Sequence, residues 1–443
     1  MDKAWKDMTS DERLAQRLDG YVNMPGFEFA SPEAKAAYTE RATNIRDAFE
    51  MKVPKRVPVF PSEGFFPALH AGLTMKDALY EYDKVAEAIL AYLDEFQPDA
   101  WFGALAIVPG RCFDILDYKL YDWPGHGLPD DLMYQMNEGE YVVAEEYGEL
   151  AADPSNFFLR KYLPRTFGAL EPLVKLPLLP PIHEMPMTPT ALLAFGMPDV
   201  QEALRKLMEA GEEALRWMGV MGGLGAQVRA LGYTDWAGGA AKAPFDTIGD
   251  TLRGTKGMML DMFRHPDALI EACERLVPSM IEMGVSAVNM TGVPLVFMPL
   301  HKGAEGFMSN KQFEKFYWPT LKAVMLGLVE EGCIPVMFAE GGYGQRLEIV
   351  ADFPRGKCIW WFDQTDMARA KEMLGDVCCI AGNVPTALMT AGTPDEVKAY
   401  CKDLINVAGI DGGYILTNGC GVDHAKAENV QALMDAGREY GAY

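Results

Sequence analysis

Five apolar runs in the second half of the chain are each followed by a polar side chain that can bind a proton, a metal ion or a substrate. In chain order these side chains are His301, Glu340, Asp363, Asn383 and Cys420. Imidazole, carboxylate and thiol groups together can carry out acid–base chemistry or bind a zinc ion. The recurrence of such a residue after each run predicts a functional site.

The apolar runs have the length and the β-branched or aromatic composition of buried strands. They lie at 295–300, 334–338, 358–362, 377–381 and 413–417, and two more lie upstream at 56–61 and 100–105. Capping boxes, such as Ser309 with Gln312 and Thr393 with Glu396, mark helices between them. About eight buried strands that alternate with helices predict an α/β fold, a single (β/α)8 TIM-type barrel.

The rest of the chain is assigned around this barrel. We expect residues 1–50 to form an N-terminal helical extension and residues 51–443 to form the barrel. A helix is predicted from about Lys76 to Phe96, and long loop insertions with helical excursions are predicted from about 110 to 240. No glycine-rich dinucleotide motif follows a strand, and the sequence contains no Walker A loop.

Composition narrows the classes of partner. The chain has 443 residues and a formal net charge of −23, which argues against binding to nucleic acid phosphates. Its eight cysteines are scattered without disulfide-like spacing, no apolar run reaches the length of a membrane span, and the first thirty residues do not form a signal peptide. We therefore expect a cytoplasmic protein that binds neither nucleic acid nor membrane.

In a barrel of this kind, chemistry takes place at the C-terminal ends of the strands. Glu340, Asp363 and Cys420 would meet there, and their oxygen and sulfur atoms could bind zinc with one position left open for substrate. His301 is the candidate general acid, and Tyr343 is a second candidate. Asn383 is a candidate for substrate binding.

Several of these side chains also have a structural interpretation. Glu340 could form an ion pair with Arg346 or Lys302. Asp363 could stabilise the first turn of the helix that begins near Asp366. His301 could cap a loop, and Asn383 could shape a turn with its neighbouring glycine. The sequence leaves these alternatives open.

The C-terminal part of the sequence resembles the uroporphyrinogen decarboxylase superfamily. The resemblance rests on "GFMSNKQFEKFYWPTLK" (306–322), "GNVPTALMTAGTPDEV" (382–397) and "GGYILTNGCGVDHAKAENVQAL" (412–433), and it extends more loosely to 244–277. The superfamily includes a cofactor-free porphyrinogen decarboxylase of heme biosynthesis and zinc methyltransferases that serve corrinoid proteins. The resemblance implies the same barrel and allows a monomer or a homodimer.

The methyltransferase branch resembles this sequence better than the decarboxylase does. The decarboxylase implies an arginine-containing segment that grips substrate carboxylates, and the corresponding stretch here, "VPVFPSEGFFPALHAG" (57–72), contains no arginine. The methyltransferase zinc site implies a His-x-Cys pair where this chain has Phe338 and Glu340, and a later cysteine at Cys420. The related cobalamin-independent methionine synthase implies a carboxylate at Asp363.

The resemblance therefore implies transfer of a methyl group from a small methylated substrate to a Co(I) corrinoid. The corrinoid would be carried by a separate partner protein, because this chain lacks a cobalamin-binding Asp-x-His-x-x-Gly motif. A zinc ion held mainly by carboxylates would favour an O-methyl donor. Trp360, Trp361, Phe338 and Met337 could line a pocket for a methoxylated aromatic, with Trp361 contacting substrate, or they could be barrel core. The alternatives are a decarboxylase and a non-catalytic barrel subunit.

Overall fold

The computed structural model describes residues 3–103, 107–178 and 184–443. Its strands, in chain order, are β1 (Ala100–Trp101), β2 (Tyr121–Pro124), β3 (Gly127–Leu128), β4 (Gln135–Met136), β5 (Thr234–Asp235), β6 (Gly239–Ala240), β7 (Leu295–Leu300), β8 (Ile334–Ala339), β9 (Ile359–Phe362), β10 (Cys379–Val384) and β11 (Tyr414–Asn418).

The α-helices are α1 (Ser10–Asn23), α2 (Pro32–Phe49), α3 (Phe66–His70), α4 (Met75–Tyr80), α5 (Tyr82–Phe96), α6 (Gly110–Leu116), α7 (Tyr147–Ala152), α8 (Pro154–Phe157), α9 (Leu163–Thr166), α10 (Thr188–Leu192), α11 (Pro198–Ala230), α12 (Pro244–Thr247), α13 (Thr255–Arg264), α14 (Pro266–Thr291), α15 (Asn310–Gln312), α16 (Trp318–Glu330), α17 (Leu347–Val350), α18 (Met367–Leu374), α19 (Thr386–Ala391), α20 (Pro394–Ala408) and α21 (Ala427–Tyr440). Short 3-10 or π-helical segments are Trp5–Asp7, Ala144–Glu146, Phe158–Tyr162, Gly168–Lys175, Leu193–Gly196, Ile248–Leu252 and Phe313–Tyr317.

Eight parallel strand segments form a closed ring of hydrogen bonds. From β6 to β11 each strand pairs with the next along the chain. β1 pairs with β5, and β5 and β6, which are separated by residues 236–238, count together as one of the eight segments. The segment 57–60 closes the ring, because Val59 forms a parallel bridge with Leu416 and its carbonyl accepts the Asp99 N–H at 2.9 Å. The predicted α/β fold of the (β/α)8 class is confirmed.

The predicted C-terminal strands are confirmed to within three residues at either end. The predicted strand 100–105 is shorter, since β1 ends at Trp101 and residues 104 and 105 lie outside the described residues. The predicted helix from Lys76 to Phe96 is interrupted at Glu81, which caps α4 with a non-helical backbone. Because the strands are parallel, their C-terminal ends all lie at the same end of the barrel, which we call the mouth.

The helices α1 and α2 cover the opposite end of the barrel. Leu14, Tyr21, Tyr38 and other apolar residues of these helices share one core with Leu295 and Ile334, the first residues of β7 and β8. Because that core seals the N-terminal ends of the strands, the extension leaves the mouth free. None of the helices in the described part of the chain combines the length and apolar composition needed to span a bilayer.

The insertion between β1 and β5 is more helical than the sequence predicts. The sequence predicts long loops with helical excursions from about 110 to 240, and within this region the stretch from Gly222 to Ala230, which contains three glycines, forms the last turns of the 33-residue helix α11. A Cβ atom at Gly225 would lie 3.8 Å from the ring of Trp101. A small side chain thus suits the packing of α11 on β1, and tertiary contact overrides the low helix propensity of glycine.

The side chain of Asp99, the residue before β1, binds the segment 57–60. Replacing Asp99 tests how much this contact contributes to the stability of the closed barrel. Its buried carboxylate accepts the Val59 N–H at 2.7 Å and forms an ion pair with Arg56. We expect Asp99→Ala to lower the free energy of unfolding by about 3 kcal/mol, because it leaves a largely buried guanidinium and an amide without partners. Urea denaturation measures this loss. The exposed Glu87→Ala on α5 is the control, and a loss in Asp99→Ala as small as in that control would contradict the prediction.

Candidate active site

The predicted strand-end residues lie at the mouth of the barrel. His301, Glu340 and Asp363 each follow the last residue of their strands, β7, β8 and β9. Asn383 is the penultimate residue of β10, and Cys420 follows β11 by two residues. Since the strands are parallel, these residues share one end of the barrel.

The imidazole of His301 is held between two carboxylates. Its Nδ1 lies 2.6 Å from Oδ2 of Asp250, which belongs to the π-helical segment Ile248–Leu252. Its Nε2 lies 3.5 Å from Oε1 of Glu340, a side chain that is 40% exposed at the mouth. The Nδ1 hydrogen bond fixes the ring orientation, so Nε2 is directed toward Glu340.

Asp250 is almost fully buried and carries three cationic partners. Besides His301, the Nζ atoms of Lys242 and Lys302 lie 2.6 and 3.2 Å from its oxygens. Burial alone would raise the pKa of Asp250, but the hydrogen bond from His301 and the charge of Lys242 hold it well below its usual range. The carboxylate is therefore ionised, and it is shared by Lys242, Lys302 and His301.

Asp246, one helical turn before Asp250, fixes the main chain after β7. Its buried carboxylate accepts the N–H groups of His301 and Lys302 at 3.0 and 2.8 Å, and the hydroxyl of Tyr317 at 2.6 Å. Burial, reinforced by the charge of Asp250, raises the pKa of Asp246. Together the two aspartates position both the backbone and the side chain of His301.

These contacts determine the protonation state of His301. Burial alone would lower its pKa, but the hydrogen bonds and charges of Asp250 and Glu340 raise it to about 10, from an ordinary value of 6.5. The ring is consequently an imidazolium at neutral pH. A fixed imidazolium with one N–H facing an open mouth can act as a general acid or stabilise negative charge.

Asp363 holds the loops that follow β8 and β11. Its Oδ2 accepts the N–H of Gly341 at 3.1 Å, and Gly341 has the positive φ of +80° that only glycine adopts readily. A Cβ atom at Gly419 would lie 2.9 Å from Oδ1 of Asp363. The carboxylate is thus occupied in positioning the loop that carries Glu340.

The structural alternatives that the sequence suggested for Glu340 and Asp363 do not occur. Glu340 pairs with His301 instead of Arg346 or Lys302. The guanidinium of Arg346 is buried and donates to main-chain carbonyls, and Lys302 pairs with Asp250. Asp366 caps its own helix α18 by accepting the Arg369 N–H at 2.8 Å, so Asp363 is not needed there.

The predicted zinc ligands come near one another without forming a ligand set. Burial and the charges of Glu340 and Asp363 raise the pKa of the Cys420 thiol to about 11, which requires all three groups to be neighbours. Yet within the described ranges no three His, Cys, Asp or Glu side chains are arranged to hold a metal ion. One oxygen of Asp363 is already used, since it accepts the Gly341 N–H. The arrangement does not fit zinc.

Tyr343 and Trp361 do not reach the mouth. Tyr343 is fully buried, and among the described residues its hydroxyl has no hydrogen-bond partner. Trp361 points into the barrel and donates its indole N–H to the Asn418 carbonyl at 2.8 Å. Asn383 uses its amide to donate to the main-chain carbonyls of Asp363 and Thr365. Only His301 and Glu340 of the predicted residues contact each other through side chains.

The aromatic pocket suggested by the sequence belongs to the core. Trp360, Trp361, Phe338 and Met337 are all buried in the two main hydrophobic clusters of the barrel. Their side chains stabilise the fold and leave no room for a substrate ring. A cavity of about 960 Å³ lies instead beside α18 and α20, where Asp363, Asn383 and Cys420 form part of its wall.

Sequence reasoning missed Lys242, Asp246 and Asp250. They follow β6, a strand of two small residues that carries no apolar run, so its end is not recognisable by composition. One signal was present. Asp246 and Asp250 lie four residues apart, a spacing that puts two carboxylates on one helical face.

Comparison with known proteins relates this chain to decarboxylases by sequence. Residues 226–440 match the family model described as Uroporphyrinogen decarboxylase (URO-D). The uroporphyrinogen decarboxylase of Cellvibrio japonicus (strain Ueda107) is 25% identical over 186 residues, which are 40% of this chain and 49% of that protein. That of Methylococcus capsulatus (strain ATCC 33009 / NCIMB 11132 / Bath) is 26% identical over 203 residues, 45% and 56% of the two chains. The chain spans about half the length of the curated relatives it matches.

Comparison of structures relates the chain to a methyltransferase fold. A methyltransferase from Methanosarcina mazei superposes with a TM-score of 0.60 over 91% of this chain and 98% of its own, at 16% sequence identity. This likeness shows the fold. The resemblance to the uroporphyrinogen decarboxylase superfamily predicted from the C-terminal motifs is confirmed, and these motifs fall largely inside the matched residues.

The protonation of His301 can be measured directly. In the wild-type protein we expect its ring to stay charged through neutral pH and to titrate near pH 10. Stabilisation from its raised pKa is full below about pH 6.5 and is lost as the pH rises through about 10. Asp250→Asn should bring the titration into the range of about pH 6 to 9, because one stabilising charge is removed. NMR of labelled histidine, assigned with His301→Gln, measures both proteins. Titration near pH 6.5 in the wild type would contradict the prediction.

Metal content tests the zinc assignment. From the geometry we expect less than about 0.1 zinc per purified chain. Elemental analysis measures the content of the wild type, Glu340→Ala and Cys420→Ala. About one zinc per chain that is lost in both variants would show that the side chains rearrange into a metal site.

Proposed function

We propose that this protein is an enzyme that transfers a methyl group from a small O-methyl compound to the Co(I) corrinoid of a separate partner protein, with His301 as the general acid. The observation that carries the proposal is the imidazolium of His301, held between Asp250 and Glu340 at the barrel mouth. The sequence match to the URO-D family and the fold shared with a methyltransferase support it.

The chemistry of the donor explains why an acid is needed. When the methyl C–O bond breaks, its electron pair stays on the oxygen, and an alkoxide or phenoxide is a poor leaving group. The Nε2 proton of His301 can neutralise that oxygen as it leaves. A Co(I) corrinoid, as the methyl acceptor, supplies the nucleophile. With a pKa of about 10, His301 is matched to a phenol, whose own pKa is about 10.

The other site residues have supporting roles in this proposal. Asp250 holds Nδ1 and keeps the ring charged, and Asp246 fixes the main chain that carries the ring. Glu340 lies beside Nε2 and is partly exposed to solvent. It can therefore return a proton from water to the ring after each turnover.

A porphyrinogen decarboxylase is the second candidate, because the curated relatives carry that name. A tetrapyrrole with many carboxylates requires unpaired cationic groups to hold it. At this mouth the three cations Lys242, Lys302 and His301 face the carboxylates of Asp250 and Glu340, and Asp363 adds a third carboxylate, so no excess positive charge is left for a polycarboxylate. The charge distribution favours an uncharged donor over a polycarboxylate. A non-catalytic barrel is the third outcome.

A methyl-transfer assay tests the proposal. The full-length protein is mixed with a corrinoid protein reduced to Co(I), and methanol, 2-methoxyphenol or dimethyl sulfide is offered as donor. We expect an oxygen donor to methylate the corrinoid, which is followed by its absorption spectrum. His301→Gln should lower kcat by about 10²- to 10³-fold, since a general acid contributes that much. Glu340→Gln should lower it by about tenfold, because the acid remains.

His265→Gln is the matched control, because His265 is exposed at the start of α14 and lies outside the site. Its kcat should equal that of the wild type. Decarboxylation of uroporphyrinogen III is assayed in parallel. Decarboxylation without methyl transfer would replace the proposal by the second candidate, and the absence of both activities would leave the non-catalytic barrel.

A further inference from the structure

A second cavity, lined by aromatic side chains, lies within the insertion between β1 and β5. Its volume is about 290 Å³. Six aromatic residues form most of its wall, and we refer to it as the aromatic cavity: Phe113, Tyr118, Tyr121, Trp123, Tyr134 and Phe167. None of these residues was predicted to bind substrate.

The aromatic rings form a continuous wall. Tyr118 stacks on Phe167 with ring centroids 4.6 Å apart, and its ring lies 5.7 Å from that of Tyr121. Tyr121 in turn meets Tyr134 edge to face at 5.9 Å. Rings that support one another in this way are rigid and present a preformed surface to a planar ligand.

The cavity also offers polar groups that the protein itself does not use. In the described part of the chain, no hydrogen bond involves the hydroxyls of Tyr118, Tyr121 or Tyr134, and these side chains are only partly buried. An apolar wall with a few free polar groups is typical of a small-molecule site. Oxygen substituents on an aromatic ring would match such hydroxyls.

The size of the cavity limits the ligand. An apolar cavity of about 150 Å³ is enough to bind benzene. A volume of 290 Å³ therefore accommodates one benzene ring with small substituents and excludes a tetrapyrrole.

The insertion that contains the aromatic cavity packs against the segment that carries Asp250. Burial, together with the negative charge of Asp250, raises the pKa of Tyr121. The N–H groups of Tyr141 and Val142 both donate to the Leu252 carbonyl at 2.8 Å, which fixes the insertion against the segment that carries Asp250. On the far side, Tyr134 contacts Phe65 at 6.2 Å.

We infer that the aromatic cavity binds the ring of an aryl methyl ether and presents its ether oxygen to His301. This inference rests on the proposed function and specifies its substrate class. The methyl C–O bond breaks, its electron pair stays on the oxygen, and the Nε2 proton of His301 converts that oxygen to a phenol. The electron pair of the Co(I) acceptor forms the new bond to the methyl group.

Binding without turnover tests the inference. Calorimetry of 2-methoxyphenol with the full-length protein, in the absence of any corrinoid, measures the dissociation constant. We expect Tyr121→Leu and Tyr134→Leu to raise it about tenfold, because each removes an aromatic contact. The corresponding Phe variants keep the ring and should stay within about threefold of the wild type. Methoxycyclohexane, which lacks a planar ring, should bind at least about tenfold more weakly.

Two further variants test whether the ligand binds inside the aromatic cavity: one fills the cavity and the other lies outside it. Val108→Phe fills the cavity instead of opening it and should also abolish binding. Tyr400→Leu, in the wall of the separate 960 Å³ cavity, should leave it unchanged. Equal affinity in the wild type, the Leu variants and Val108→Phe would place the ring elsewhere and overturn the inference.

The inference and the proposed function can fail separately. If 2-methoxyphenol binds in the aromatic cavity but no methyl group reaches Co(I) from any donor, the ring site stands and the proposed function fails. If methanol methylates the corrinoid while 2-methoxyphenol neither binds nor reacts, the proposed function stands and the inference is overturned.

Discussion

The buried charge of Asp250 is the constraint on which the geometry of the barrel mouth depends. A carboxylate removed from water costs several kcal/mol unless cations and hydrogen bonds replace its hydration. Here His301, Lys242 and Lys302 surround it, and they come from the segments after β6 and β7. The two strand ends are thereby joined, and rotation of the imidazole would break its Nδ1 hydrogen bond to Asp250. Preorganisation of this kind makes a fixed proton donor effective.

The same pairing determines the charge that a substrate meets. Lys242 and Lys302 share the single charge of Asp250 with His301, and the carboxylate of Glu340 lies beside the imidazole, so cations and carboxylates form one compact cluster. The side chains left facing the mouth include Glu340 and, beside it, Asp363. The imidazolium is thus one member of a cluster in which three cations are balanced by the carboxylates of Asp250, Glu340 and Asp363, and such a cluster does not attract a polycarboxylate.

How much of this could be predicted from the sequence differs from one part of the fold to another. The strands β7 to β11 are buried and uninterrupted, so composition alone revealed them and the residues that follow them. His301 and Glu340 were identified for that reason. Asp250 was not, because β6 has only two small residues and gives no apolar signal. The roles of Trp361 and Tyr343 also depend on side-chain direction, which a strand's composition does not encode. The aromatic cavity was missed because its residues come from short elements and loops of the insertion that show no regular hydrophobic period.

Glu340 illustrates why an acid follows a hydrophobic strand here. The tight exit at Gly341, fixed by Asp363, turns the main chain so that the Glu340 carboxylate faces Nε2 of His301. While the ring is charged, the two attract each other. Once the ring has given up its proton, that attraction is lost, and a carboxylate with 40% exposure can take a proton from water and return it. A cysteine at this position could bind a metal ion, whereas the carboxylate forms an ion pair with the charged ring of His301. The acid at position 340 is therefore the second of the two carboxylates between which the imidazole of His301 is held.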